Sequence, residues 1–150
     1  MRLLEGQEDV FVVGRGPALP IAREFALKLK EVCGIHAEAT SAAEILHGPI
    51  SIASPLLPAI VLAGDRYARP SVEAAVSRLR AAGSPVVLVA TGSKSAGKGI
   101  GIVAIPQAPD PLLEPVVAAL AAYPFFAALA RARGKDPDRP AYLRKITRTV

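Results

Sequence analysis

Three ionisable side chains stand at helical spacing in the stretch IAREFALKLKEVCG: Glu24, Lys28 and Glu31. Separations of four and three residues place them on one helix face. Further on, His47 precedes Gly48-Pro49 in AEILHGP. Glutamate, lysine and histidine are the side chains whose proton affinities can be tuned towards neutrality, so they suit acid–base work. The same residues also fit a plainer account. Glu24–Lys28 and Lys28–Glu31 can be surface ion pairs worth about 0.2–0.5 kcal/mol each, and a histidine in a last helical turn complements the helix dipole. Residue type and spacing alone leave both accounts open.

The elements that must position these groups follow from hydrophobic periodicity. Ile21, Phe25, Leu29 and Val32, flanked by Ala22 and Ala26, predict a helix over 21–33. Ser41-Ala-Ala-Glu44 has the form of a capping box. It opens a short helix that Gly48 and Pro49 stop after His47. Short apolar runs at 10–13, 59–63, 85–90 and 100–106 read as buried strands, and 35–39 as a weaker fifth. A helix over 71–82 buries Val72, Ala75, Val76 and Leu79 and ends at Gly83. The alanine-rich segment 111–133 is helical, with a bend or break expected near Pro115 and Pro124. Strands separated by helical patterns predict parallel βαβ units. The expected product is an α/β fold, a three-layer α/β/α sandwich on a five-stranded parallel sheet of flavodoxin-like type, with its sites beyond the carboxyl ends of the strands. The 150 residues contain no internal repeat or linker and read as one domain.

Composition narrows the function. A net charge of +5 is spread along the chain with no nucleic-acid-binding motif, so it favours anionic ligands mildly and no nucleic acid. The single Cys33 excludes a cysteine-rich zinc site and reads as a buried thiol of a reducing compartment. The opening MRLLEGQEDV lacks a signal peptide's apolar core. The apolar run 116–130 is interrupted by Pro124 and falls short of the ~20 residues of a membrane span. A cytoplasmic protein with no membrane partner, no metal and no cofactor is expected. Two phosphate motifs nearly occur. In Gly14-Arg-Gly16, Leu19 stands where a dinucleotide fingerprint needs its third glycine. In the loop from Gly92 to Lys98, Gly99 replaces the hydroxyl residue of a P-loop and a strand follows instead of a helix.

The wording ALKLKE, IHAEA and AEILHGP, in this order and spacing, resembles the sugar isomerase (SIS) domain family. Within it, the chain is similar to the second, carboxy-terminal SIS half of the glucosamine-6-phosphate synthases and of related glutaminase-less deaminases, over nearly all of its length. The resemblance implies interconversion of ketose and aldose sugar phosphates, such as fructose 6-phosphate and glucosamine 6-phosphate, with amino transfer or loss. It implies Glu31 as the proton-transfer base, His47 as the ring-opening group contributed to a neighbouring subunit's site, and Lys145, in the tail YLRKITRTV, as the Schiff-base amine. Lys28 and Arg144 fall to substrate contact, and the partners implied are a hexose or hexosamine 6-phosphate and a second copy in a homodimer. The chain departs from the family's first half: after the 59–63 strand it reads Gly-Asp-Arg-Tyr-Ala-Arg-Pro, with no Ser/Thr cradle for the phosphate. A fragment of a longer, two-SIS protein is therefore expected, inactive on its own. The alternative is a non-catalytic SIS module that senses sugar phosphates for a regulator.

Overall fold

Period-2 alternation along the strands sorts the core into two layers. Val10 and Val12, Ile60 and Leu62, and Val87 and Val89 face one side, while Phe11 and Val13, Ala59 and Val61, and Val86 face the other. These strands are β1 (Asp9–Gly14), β3 (Ala59–Leu62) and β4 (Val86–Thr91), joined by β2 (His36–Ser41) and β5 (Ile100–Ile105). All pairings are parallel and the order across the sheet is β2-β1-β3-β4-β5. The computed structural model describes residues 2–63, 67–92, 99–141 and 143. The expected three-layer sandwich on a five-stranded parallel sheet is what forms. Strand bounds shift by a residue or two from expectation, most at β2, which runs on to Ser41.

Helices α1 (Ala18–Lys28) and α3 (Glu114–Ala132) cover the first face, and α2 (Arg69–Ala81) covers the second. Three expectations need correction. The helix over 21–33 starts earlier, at Ala18, and its α geometry stops at Lys28; Leu29–Cys33 forms a π turn ended by Gly34 in the left-handed region. The capped segment before His47 is a single 3₁₀ turn, Glu44–His47, followed by a second, Pro49–Ile52. Glu44 nevertheless reaches back to the Ser41 amide at 3.2 Å, and the Ala43 amide donates to Ser41 Oγ at 3.3 Å, so the capping box is present.

The third correction concerns α3, which runs without a break through Pro124, with Pro115 in its first turn where a missing N–H costs nothing. Packing explains the continuity. Phe126, just beyond the proline, sits edge-on to Phe25 of α1 with ring centroids 5.0 Å apart, and Leu129 and Ala130 are fully buried behind it. Together with the 3₁₀ turn Pro111–Leu113, the apolar helical stretch reaches Ala132. At 22 residues and a mean hydropathy of 1.8 it is longer than the 116–130 run and, by length and composition alone, could cross a membrane. Here Ala118, Ala122, Phe126 and Leu129 pack on the sheet, while Val116 and Leu120 stay exposed.

Two close approaches set the chain's path. A Cβ at Gly14 would stand 2.6 Å from the Ala18 carbonyl oxygen, so only glycine lets α1 start directly over the end of β1. At the other end of α1, Arg133 ties three segments together. Its Nε donates to the Cys33 carbonyl at 2.9 Å, and its Nη1 reaches the carbonyls of Leu4, Glu5 and Gln7, the last at 2.9 Å. Hydrogen bonds from a charged donor contribute more than neutral ones, and orphaned carbonyls carry a desolvation cost. Arg133→Met is expected to destabilise the fold by about 2–4 kcal/mol in urea titration, with Arg133→Lys recovering less than half of the loss. A loss below about 1 kcal/mol for the methionine variant would show the cluster to be dispensable.

Candidate active site

The π turn at the end of α1 holds Glu31, and Lys28 directly precedes it. Single π turns inside helices recur at functional sites, and the extra residue in the turn re-aims the side chains beyond it. Lys28 Nζ lies 2.5 Å from Glu31 Oε2 and 3.9 Å from Glu24 Oε1. Each of these side chains is about one-third exposed or less. Tyr123 of α3 completes the group by donating its hydroxyl to Glu24 Oε1 at 3.2 Å. The hydrogen bond to Glu31 is the largest influence on Lys28 and raises its pKa against a partial burial cost, so this ammonium is held charged. Tyr123 is raised too, by burial first and then by the Glu24 carboxylate, so it remains a neutral donor. Lys28 is therefore a fixed cation with its proton secured.

His47 stands elsewhere. It is exposed at the end of its 3₁₀ turn, immediately beyond β2's carboxyl end, whereas Lys28 and Glu31 precede β2's amino end. Six strand residues at about 3.3 Å each separate the two ends, roughly 20 Å. The structure thus joins Glu31 to Lys28 and keeps His47 apart from both. Of the expected site residues, His47 lies past a strand's carboxyl end, and Glu31 and Lys28 lie at the amino end of the sheet. Arg144 and Lys145 lie outside the described residues, as does most of the Gly92 to Lys98 loop. The IHAEA motif supplies an exposed pair, His36 Nδ1 to Asp9 Oδ1 at 2.7 Å, at the same end of the sheet as Glu31.

Known proteins share this arrangement of chain. The family model described as SIS domain matches residues 3–130. The chain belongs to the SIS domain family. A glutamine–fructose-6-phosphate aminotransferase (isomerizing) of Sphingobium yanoikuyae is 38% identical over 140 residues, covering 91% of this chain and 89% of that protein. The protein of the same name from Zymomonas mobilis is 36% identical over 140 residues but is covered for only 23% of its length. Among solved structures, the C-terminal domain of glucosamine-fructose-6-phosphate aminotransferase from Francisella tularensis superposes with a TM-score of 0.81 at 25% identity, covering 91% of this chain and 39% of that one. The chain therefore spans less than a quarter of several of the relatives it matches.

In this SIS domain, Tyr123 is the residue that sequence reasoning missed. It lies 99 residues from Glu24, and only the packing of α1 on α3 brings them together. Among the described residues no group of three or more His, Cys, Asp or Glu side chains is placed to hold a metal ion. Cys33, the last residue of the π turn, is fully buried with its Sγ 3.4 Å from the Phe126 carbonyl. Burial pushes its pKa up to about 11, with Arg133 and Lys135 pulling weakly the other way. A thiolate is needed for reaction, so the folded thiol should resist alkylation at pH 8 and react fully in denaturant. The raised values of Cys33 and Lys28 mean that the fold binds these protons more tightly than the unfolded chain does. Their contribution is intact below about pH 9 and is lost as pH rises through the folded values, near 11 for Cys33. Rapid labelling of the native protein at pH 8 would contradict this burial.

Proposed function

We propose that the chain is the carboxy-terminal SIS half of a cytoplasmic enzyme that isomerises amino-sugar phosphates, interconverting fructose 6-phosphate and glucosamine 6-phosphate with amino transfer or deamination. The observation that carries this reading is the Lys28–Glu31 pair on a π turn, a carboxylate seated 2.5 Å from a fixed cation. In the proposed reaction Glu31 moves a proton between C1 and C2 of the open-chain sugar, while Lys28 offsets the negative charge that builds on the neighbouring oxygen. A substrate oxygen that draws Lys28 towards itself would loosen the ion pair and free the Glu31 lone pairs for the proton. Lys145 is proposed to add its amine to the ketose carbonyl and expel water as the imine forms, and Arg144 to hold the substrate; the family resemblance supports both.

The strand-length separation of Glu31 from His47 supports a site shared between subunits, with His47 opening the sugar ring in a neighbour's site. We propose a homodimer for that purpose. The exposed apolar side chains of α3, Val116 and Leu120 among them, support burial against another chain.

Three measurements test the reading in the complete, two-SIS enzyme. Glu31→Gln should lower kcat by about 10²–10⁴-fold, the range of a general base, with little change in melting temperature. Lys145→Arg should abolish turnover while leaving sugar-phosphate binding, and borohydride should trap substrate on Lys145 in the parent only. Mixing Glu31→Gln and His47→Ala subunits, each inactive alone, should restore about a quarter of parental activity, because half the dimers are mixed and each holds one intact site of two. Undiminished activity of Glu31→Gln would remove Glu31 as the base, whereas sugar-phosphate binding without turnover by the parental protein would leave the sensing reading in its place. No recovery on mixing, with subunit exchange verified, would refute the shared site.

A further inference from the structure

We infer that the cavity beyond the carboxyl ends of β1, β3 and β4 is a second ligand site, shaped for an organic phosphate that carries a planar apolar group, of the nucleoside monophosphate class. This inference does not rest on the role given to Glu31, which stands at the opposite end of the sheet. The cavity is about 990 Å³, at the upper end of the range for small-molecule sites. It lies where the strand order reverses between β1 and β3, the position at which open parallel sheets bind ligands.

Its lining divides into a cationic rim and an apolar wall. Arg15, Arg69 and Arg80 supply the rim, opposed by Glu73 and Glu114. Arg80 and Glu114 are already engaged with neighbouring groups. Arg15 spends one N–H on Ser41 Oγ at 3.2 Å, leaving the rest of its fork, and Arg69 makes no ion pair among the described residues although Glu73 follows one helical turn later. The amino ends of α1 and α2 also border the cavity, through Ala18 and Arg69, whereas the helical stretch that runs into α3 is capped by Asp110, whose carboxylate accepts from the Leu112 amide at 2.8 Å. Positive helix ends and guanidinium forks together select an anion, and a bidentate fork favours phosphate.

The wall argues against a plain sugar as the rest of the ligand. Leu62, Val72, Val76, Leu88 and Ala118 line it, and although the hydroxyls of Ser77 and Thr91 also border the cavity, this apolar part leaves most of a hexose's hydroxyls without partners. A flat, weakly hydrated ring suits that surface, and Tyr67, largely exposed at the same rim, offers an aromatic face for stacking. Neither glycine-rich phosphate motif is complete, which fits a monophosphate held by arginine and not a magnesium–triphosphate.

Isothermal titration of the 150-residue chain with AMP, UMP, inorganic phosphate and glucosamine 6-phosphate decides the matter. AMP or UMP should saturate one site per chain below about 1 mM, about tenfold or more tighter than inorganic phosphate or the amino-sugar phosphate. Arg69→Glu, which removes the rim charge, and Val76→Trp, which fills the wall, should each weaken nucleotide binding about tenfold, whereas Glu31→Gln should leave it unchanged. Circular dichroism melts of the variants verify folding. Should either fail to fold, Arg69→Gln and Val76→Phe make the same test. The inference is overturned if neither nucleotide saturates in the millimolar range, if glucosamine 6-phosphate or phosphate binds as tightly, or if both cavity variants bind like the parent. A Glu31→Gln enzyme that remains active would bear on the catalytic reading alone.

Discussion

A single guanidinium holds the end of α1 in place. The carbonyls that close a helical segment have no partner within it, and in a π turn their spacing departs from the usual ladder. Arg133 meets the last of these, at Cys33, and at the same time gathers carbonyls of Leu4, Glu5 and Gln7 from the amino-terminal segment. Its charge also lies at the negative end of the α1 dipole. Gly34 then turns the chain in the left-handed region, and the Lys135 side chain lies where a Cβ would be, within 2.5 Å. Residues 133–135 thus clamp residues 33–34 from outside. Return of 29–33 to α geometry would rotate the side chains that follow by roughly 100°, taking Val32 and Cys33 off the core.

That clamp matters because the π turn carries two opposed burial demands within five residues. Leu29 and Cys33 are buried, while Glu31 has to stay accessible beside Lys28. The tyrosine–glutamate–lysine–glutamate line formed by Tyr123, Glu24, Lys28 and Glu31 meets the second demand by surrounding one ammonium with two carboxylates at the α1–α3 seam. A lysine so placed is a point charge with its proton secured. In the proposed reaction the amine that adds to the ketose would come from a different lysine.

Much of this was readable from the sequence, for identifiable reasons. Buried parallel strands are apolar throughout, so 10–13, 59–63, 85–90 and 100–106 stood out, and Glu24, Lys28 and Glu31 shared a face by arithmetic alone. Ser41 and Glu44 announced a capping box, and its two hydrogen bonds form. What escaped notice depended on tertiary contacts. Helical periodicity does not distinguish closure at i+5 from closure at i+4, so the π turn was invisible. Pro124 argued for a break, yet the Phe25–Phe126 packing and the buried Leu129 hold the next turn in line. Tyr123 carried no local signal, since its partner is on another helix.

The length of β2 then constrains any reaction that uses both ends of the sheet. Lys28 and Glu31 lie just before its first residue, His36, and His47 lies just after its last, Ser41. A strand cannot shorten without losing its pairing to β1, which is in register over all six residues. No side-chain rotation spans that distance, because the longest side chains reach less than half of it. Under the proposed reaction this separation favours Glu31 and His47 of different copies of the chain meeting at one sugar, so that each copy would offer its two ends to two different sites. Such an arrangement would make the site and the assembly a single structural problem: a substitution that loosened the contact between copies would remove catalysis without touching a catalytic residue.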